Sequence, residues 1–150
     1  MHPYPHTYTA SASGARTGLV AVSSPQLPGL ETSAPPQFDG PPGLWSPETL
    51  LCASLADCFV LTFRALSRAA GLEWQRLECR VEGTLERAVP GSQFTHYVTV
   101  AKLTVPAGAD AARARTLLER AEHSCLIANS LRGSRTLEAE VVEGSALGLV

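Results

Sequence analysis

Charge is scarce in this sequence. Asp, Glu, Lys and Arg make up 17% of its 150 residues, against roughly 25% in an average soluble domain. A surface so thinly charged is expected to leave apolar area covered by a partner, most simply a second copy of the chain. Neither sign dominates: 12 basic against 14 acidic residues give a net charge of -2. That balance offers no basic footprint for nucleic acid. Long hydrophobic runs are missing too. The most apolar stretch, Leu50 to Phe63, spans about 14 residues and holds Asp57, short of the roughly 20 that cross a bilayer. No membrane association is expected. The opening "MHPYPHTYTASAS" has no basic region followed by an apolar core, so it does not read as a secretory signal. A cytoplasmic, reducing location is therefore expected, where the four cysteines should be free, catalytic or redox-active rather than structural disulfides. Metal ligands at useful spacing are also lacking. His123 and Cys125 form an H-x-C pair, but His2, His6 and His96 add no cluster, so neither a metal nor another cofactor is expected.

No internal repeat is present, and the length suits one domain over residues 1–150. "HTYTASAS" and "GLVAVSS" have strand character, with "GART" as the turn between them. From Ser24 to Trp45, six prolines exclude helix and central strand, leaving one short strand around Leu30 to Ser33. Phe38, Leu44 and Trp45 are too apolar for a free linker. A long helix then begins with Ser46 as N-cap, Pro47 at its first position and Glu48 in the first turn. Gly71 ends it after about 24 residues, roughly 36 Å. Leu50, Leu51, Leu55, Phe59, Val60, Leu61, Phe63 and Leu66 spread around most of its circumference, which predicts a central helix buried on most faces. "QRLECRVEGTLERAV" and "FTHYVTVAKLTV" read as a hairpin turned near "PGSQ". "ADAARARTLLERAEH" reads as a helix, "SCLIANSLRG" as a short helix or its last turns, and "RTLEAEVVEG" as a closing strand. The fold class is α+β, with helices on one side of largely antiparallel sheet.

The thiols are the candidates for chemistry. A mid-helix Cys58 gains nothing from the helix dipole and needs a cationic neighbour to become a thiolate; otherwise it is a small core hydrophobe. Cys52, roughly 120° around the same helix, and Cys79, in a strand, read as core and are assigned no role. Cys125 differs, because Ser124 could cap a new helical turn and place this thiol at a helix N-terminus, which favours the thiolate. Arg16 alone is a turn arginine, and Glu48 alone complements a helix dipole.

Together these residues resemble the OsmC/Ohr superfamily of thiol-dependent peroxidases. "GLWSPETLLCASLADCFVLTFRAL" is similar to its central-helix motif, a Pro-Glu at the helix start and a cysteine ten residues after the glutamate: Pro47, Glu48 and Cys58. The second cysteine of the family lies in a Cys-Pro-x-Ser-Asn-like motif; "CLIANSL" supplies Cys125, with Asn129 and Ser130 nearby and Leu126 in place of the proline. "GARTG" resembles the early Gly-x-Arg-x-Gly turn of the hydroperoxide-resistance branch and supplies Arg16. The likeness covers nearly the whole chain in order.

The resemblance implies an intertwined homodimer with a long buried central helix. It implies that Cys58 reduces organic hydroperoxides and passes through a sulfenic acid, that Cys125 closes a disulfide with it, and that a dithiol resembling dihydrolipoamide reopens the bridge. It implies that Arg16 lowers the thiol pKa and orients the peroxide, and that Glu48 holds Arg16. Glu48 and Cys58 are about 15 Å apart along one helix, so Arg16 and Glu48 of one copy are expected to serve Cys58 of the other. Phe38 and Trp45 are expected to help wall an apolar pocket suited to alkyl or lipid hydroperoxides. Two further readings remain: a non-catalytic stress protein of the same fold that binds an apolar ligand, and a redox-sensor partner that forms its disulfide slowly and stoichiometrically.

Overall fold

The computed structural model describes residues 1–145. By its internal contacts the chain divides into two compact units, Met1–Leu50 and Leu51 onward.

In the first unit, β1 (Ser11–Ser13), β2 (Val20–Ser23) and β3 (Leu30–Thr32) form an antiparallel meander in the order β1-β2-β3. The proline-rich stretch follows as an ordered loop. It makes one 3-10 turn at Pro36–Phe38 and then returns to the sheet. There Thr32 bridges Trp45 in parallel, and the Ser33 N–H donates to the Trp45 carbonyl at 3.0 Å. Gly40 is required for this path, since a Cβ there would stand 1.7 Å from the Ala34 carbonyl oxygen. Ser46 is buried and caps the long helix α1 (Pro47–Ala70) reciprocally with Thr49: the Thr49 N–H donates to Ser46 Oγ at 3.2 Å, and the Ser46 N–H donates to Thr49 Oγ1 at 2.9 Å.

The second unit holds the rest of α1, then β4 (Arg76–Glu86), β5 (Gln93–Val105), α2 (Ala111–Ser124), α3 (Leu126–Asn129) and β6 (Ser134–Glu143). Gly71, with φ of 63°, closes α1: its N–H donates to the Arg68 carbonyl, and the Leu72 N–H donates to that of Ser67. The sheet order is β4-β5-β6. β4 and β5 are the expected antiparallel hairpin, but β6 runs parallel to β5. A parallel neighbour requires a crossover, and α2 with α3 supplies it, α2 lying against β6. Of the two alternating sets on β5, Tyr97 and Ala101 point inward and continue to Leu103 and Val105. Ala101, Leu103 and Val105 meet Phe59 and Phe63 of α1 and Leu117, Leu118 and Ala121 of α2 in one core.

Leu55, Phe59, Phe63 and Ser67 are the buried residues of α1. They recur every four positions, a single stripe. Leu61 is 49% exposed, so one chain buries one face of the helix rather than most of them. By length and composition α1 is apolar enough to cross a bilayer, a length that the run from Leu50 to Phe63 does not reach by itself. Phe59 and Phe63 of its buried stripe pack into the core of the second unit. Asp110 caps α2 by accepting the Arg113 N–H at 2.9 Å.

Candidate functional site

Cys58 lies mid-way along α1, half-buried, in the second unit. Cys125 occupies the corner between α2 and α3, as the last cap of one and the first of the other. Both belong to one apolar cluster: Leu55, Tyr97, Cys125 and Ala128 are its buried members, and Cys58, Val81 and Phe94 pack against them. Both thiols are free.

The thiols interact. Burial first, and the neighbouring Cys58 thiol after it, push Cys125 up to about 11 from an ordinary 9.0, against the lowering effect of the Ala128 and Ile127 N–H groups. Ser124 does not cap a new helix. It ends α2, and Cys125 is itself the residue at the start of α3. Helix-end N–H groups do reach the thiol, but Cys125 is 2% exposed, and loss of water outweighs them. Cys125 at rest is therefore a protonated thiol rather than a thiolate. The polar neighbour of Cys58 is Thr62, with Oγ1 at 4.0 Å.

Cys79, on the inward face of β4, is raised to about 11 by burial and secondarily by Cys125. Cys52 is raised by its burial.

Arg16 and Glu48 belong to the first unit. Arg16 is exposed in the turn between β1 and β2, and among the described residues it forms no ion pair. Glu48 lines an apolar pocket of about 470 Å³ with Val20, Val22, Thr32, Pro35 and Phe38. Its Oε2 is buried and has no hydrogen-bond partner among the described residues. The expected Arg16–Glu48 pair is thus absent within a single first unit, because the arginine is at the tip of a hairpin and the carboxylate is in the pocket. Phe38 walls that pocket, which no cysteine lines. Trp45 is not among its lining residues, since its backbone is tied to Thr32 and Ser33 instead.

Two residues without a sequence signal stand beside Cys125. Glu122, on the last turn of α2, lines a small void together with Cys125, Phe59 and Thr99. Arg135, on β6, pairs with it, Nε to Oε1, at 3.0 Å.

The α+β fold thus brings a half-buried mid-helix thiol and a second, buried thiol into one apolar cluster. The family model described as OsmC-like protein matches residues 40–140. The chain belongs to the OsmC-like family. It is 29% identical over 113 residues to the uncharacterised protein YmaD of Bacillus subtilis (strain 168), covering 72% of this chain and 74% of that one. Among solved structures it is similar to an organic hydroperoxide resistance protein OsmC from Legionella pneumophila, with a TM-score of 0.73, 24% identity, and coverage of 93% of this chain and 98% of that one. It is also similar to an organic hydroperoxide resistance protein from Elizabethkingia anophelis, with a TM-score of 0.76, 20% identity, and coverage of 95% and 100%. The α+β class, the antiparallel sheets and the long helix agree with these folds.

Proposed function

We propose that the chain is a cysteine-based peroxidase that reduces organic hydroperoxides to alcohols. The observation that carries this reading is the contact of two free thiols, Cys58 and Cys125, in one apolar cluster. The names of the Legionella and Elizabethkingia structures support the substrate class.

The Cys58 thiolate attacks the terminal oxygen of ROOH, the O–O bond breaks, and RO⁻ takes a proton and leaves as ROH. Cys58 then carries S–OH. The Cys125 sulfur attacks the Cys58 sulfur, and the hydroxyl leaves as water with the Cys125 proton. A dithiol of the lipoyl type reopens the bridge by two exchanges and becomes a disulfide itself.

Cys58 still needs a cation. Arg16 of a second copy would supply it, reaching Glu48 of that same copy in a charge-assisted pair that forms only on dimerisation. The unpartnered Glu48 oxygen supports this, since a buried carboxylate without a partner is costly. So does the unburied apolar side of α1, where Leu61 is exposed. The working form is then a cytoplasmic homodimer. The apolar pocket beside Glu48 also favours a second reading, a non-catalytic protein that holds an apolar ligand. Substituting Cys58 by Ser separates the two: the peroxidase loses all turnover of an alkyl hydroperoxide, and the binding protein is unchanged.

A further inference from the structure

We infer that Arg135 is a positioning residue for Cys125, strapping the α2–α3 corner in place of the proline that the family resemblance expects at position 126. A proline there would set its own φ and push the preceding cysteine into extended backbone. Cys125 holds that conformation, φ -64° and ψ 107°, although Leu126 follows it. Something else must hold the corner.

A closed ring of contacts does so. Arg135 Nε meets Glu122 Oε1 at 3.0 Å, on the α2 side of the corner. One Arg135 terminal nitrogen donates to Asn129 Oδ1 at 3.1 Å, on the α3 side. Asn129 Nδ2 donates back to the His123 carbonyl at 3.0 Å. Cys125 lies between the two ends of this ring. The fork of a guanidinium suits the task, because two of its nitrogens serve two partners in fixed geometry. The pair is sheltered, with the Glu122 side chain 12% exposed and that of Arg135 26%. Arg135 also sets a positive charge against the one carboxylate lining the Cys125 void, where a bare anion would oppose thiolate formation. Anchored on β6, the strap fixes the corner to the sheet and so keeps Cys125 facing Cys58.

The catalytic consequence rests on the peroxidase reading, but the positioning itself is measurable without peroxide. In a Cys52→Ser/Cys79→Ser background, the Cys58–Cys125 bridge is equilibrated with dithiothreitol redox buffers and quantified by alkylation and mass spectrometry. The Arg135→Leu variant is expected to shift this equilibrium toward the dithiol by on the order of tenfold, the scale of a small misplacement of a reacting group. The rate at which Cys58 forms a trappable sulfenic acid should stay unchanged. Asn129→Ala cuts the same strap from its other end and serves if Arg135→Leu does not fold. Equal equilibrium constants in the wild type and a folded variant overturn the inference. A wild type that makes the bridge with the buffer but neither sulfenic acid nor bridge with an alkyl hydroperoxide overturns the peroxidase reading alone. A wild type that makes no bridge under either condition overturns both.

Discussion

The Cys58 thiol, from the middle of α1, lies against Cys125 at the α2–α3 corner, and the two differ in their access to solvent. Cys58 is half-buried and Cys125 is buried. The more accessible thiol is the one suited to meet a substrate, and the enclosed one is suited to meet only its neighbour. This asymmetry leads to the first prediction.

Cys58→Ser should abolish peroxide consumption. Cys125→Ser should allow a single turnover and leave Cys58 as a sulfenic acid that a dimedone-type reagent labels. Labelling after one equivalent of an alkyl hydroperoxide checks both. Equal multiple turnover in wild type and Cys125→Ser would remove Cys125 from the cycle.

Alkaline pH should act on closure and on stability in opposite directions. Cys125 is held up to about 11 from 9.0, mainly by burial. Its thiolate fraction therefore rises about tenfold per pH unit below that value, and disulfide closure should accelerate accordingly. Stability follows the other sign. The folded pKa is raised, so the contribution is fully present below about pH 9 and is lost as pH rises through about 11. Cys79 behaves alike. Thermal melts from pH 8 to 11 should show wild type losing more stability than Cys79→Ala/Cys125→Ala. Parallel curves would contradict the burial account.

Arg16→Ala should lower kcat/KM for an alkyl hydroperoxide by about a hundredfold, the scale of losing one preorganised donor. Glu48→Gln should lower it less, because Arg16 keeps its charge. Steady-state rates test this, together with sedimentation to show that the oligomeric state is unchanged. Full activity in Arg16→Ala would assign activation of Cys58 to another group.

One polar pair inside the second unit should be costly to break. Ser67 is fully buried, donates to the Arg64 carbonyl at 3.2 Å and accepts the Trp74 indole N–H at 2.9 Å. Trp74 in turn stacks edge-on against Phe63, with ring centroids 5.5 Å apart. Ser67→Ala leaves the indole N–H unpaired and should cost about 1–3 kcal/mol. Urea unfolding, with the slope unchanged from wild type, is the check.

The parts legible in the sequence were those set by local chemistry. Ser46, Pro47 and Gly71 mark both ends of α1, because capping acts over three or four residues. The runs "FTHYVTVAKLTV" and "ADAARARTLLERAEH" mark β5 and α2. The parts out of reach depend on distant partners. Nothing local says that β6 runs parallel to β5, or that Arg135 finds Glu122 across the corner. The burial of Cys125 likewise comes from tertiary packing, which is why a helix-end position suggested a thiolate where the fold keeps a thiol. The spread of apolar residues around α1 exceeds what one chain buries, and a single chain shows one stripe for the same reason.

The most direct test of the two-thiol account is a peptide map under non-reducing conditions, made after one equivalent of an alkyl hydroperoxide is added to the fully reduced protein. A Cys58–Cys125 bridge is expected, with Cys52 and Cys79 still free. A Cys58 that stays a free thiol would contradict it and leave the apolar-ligand reading in front.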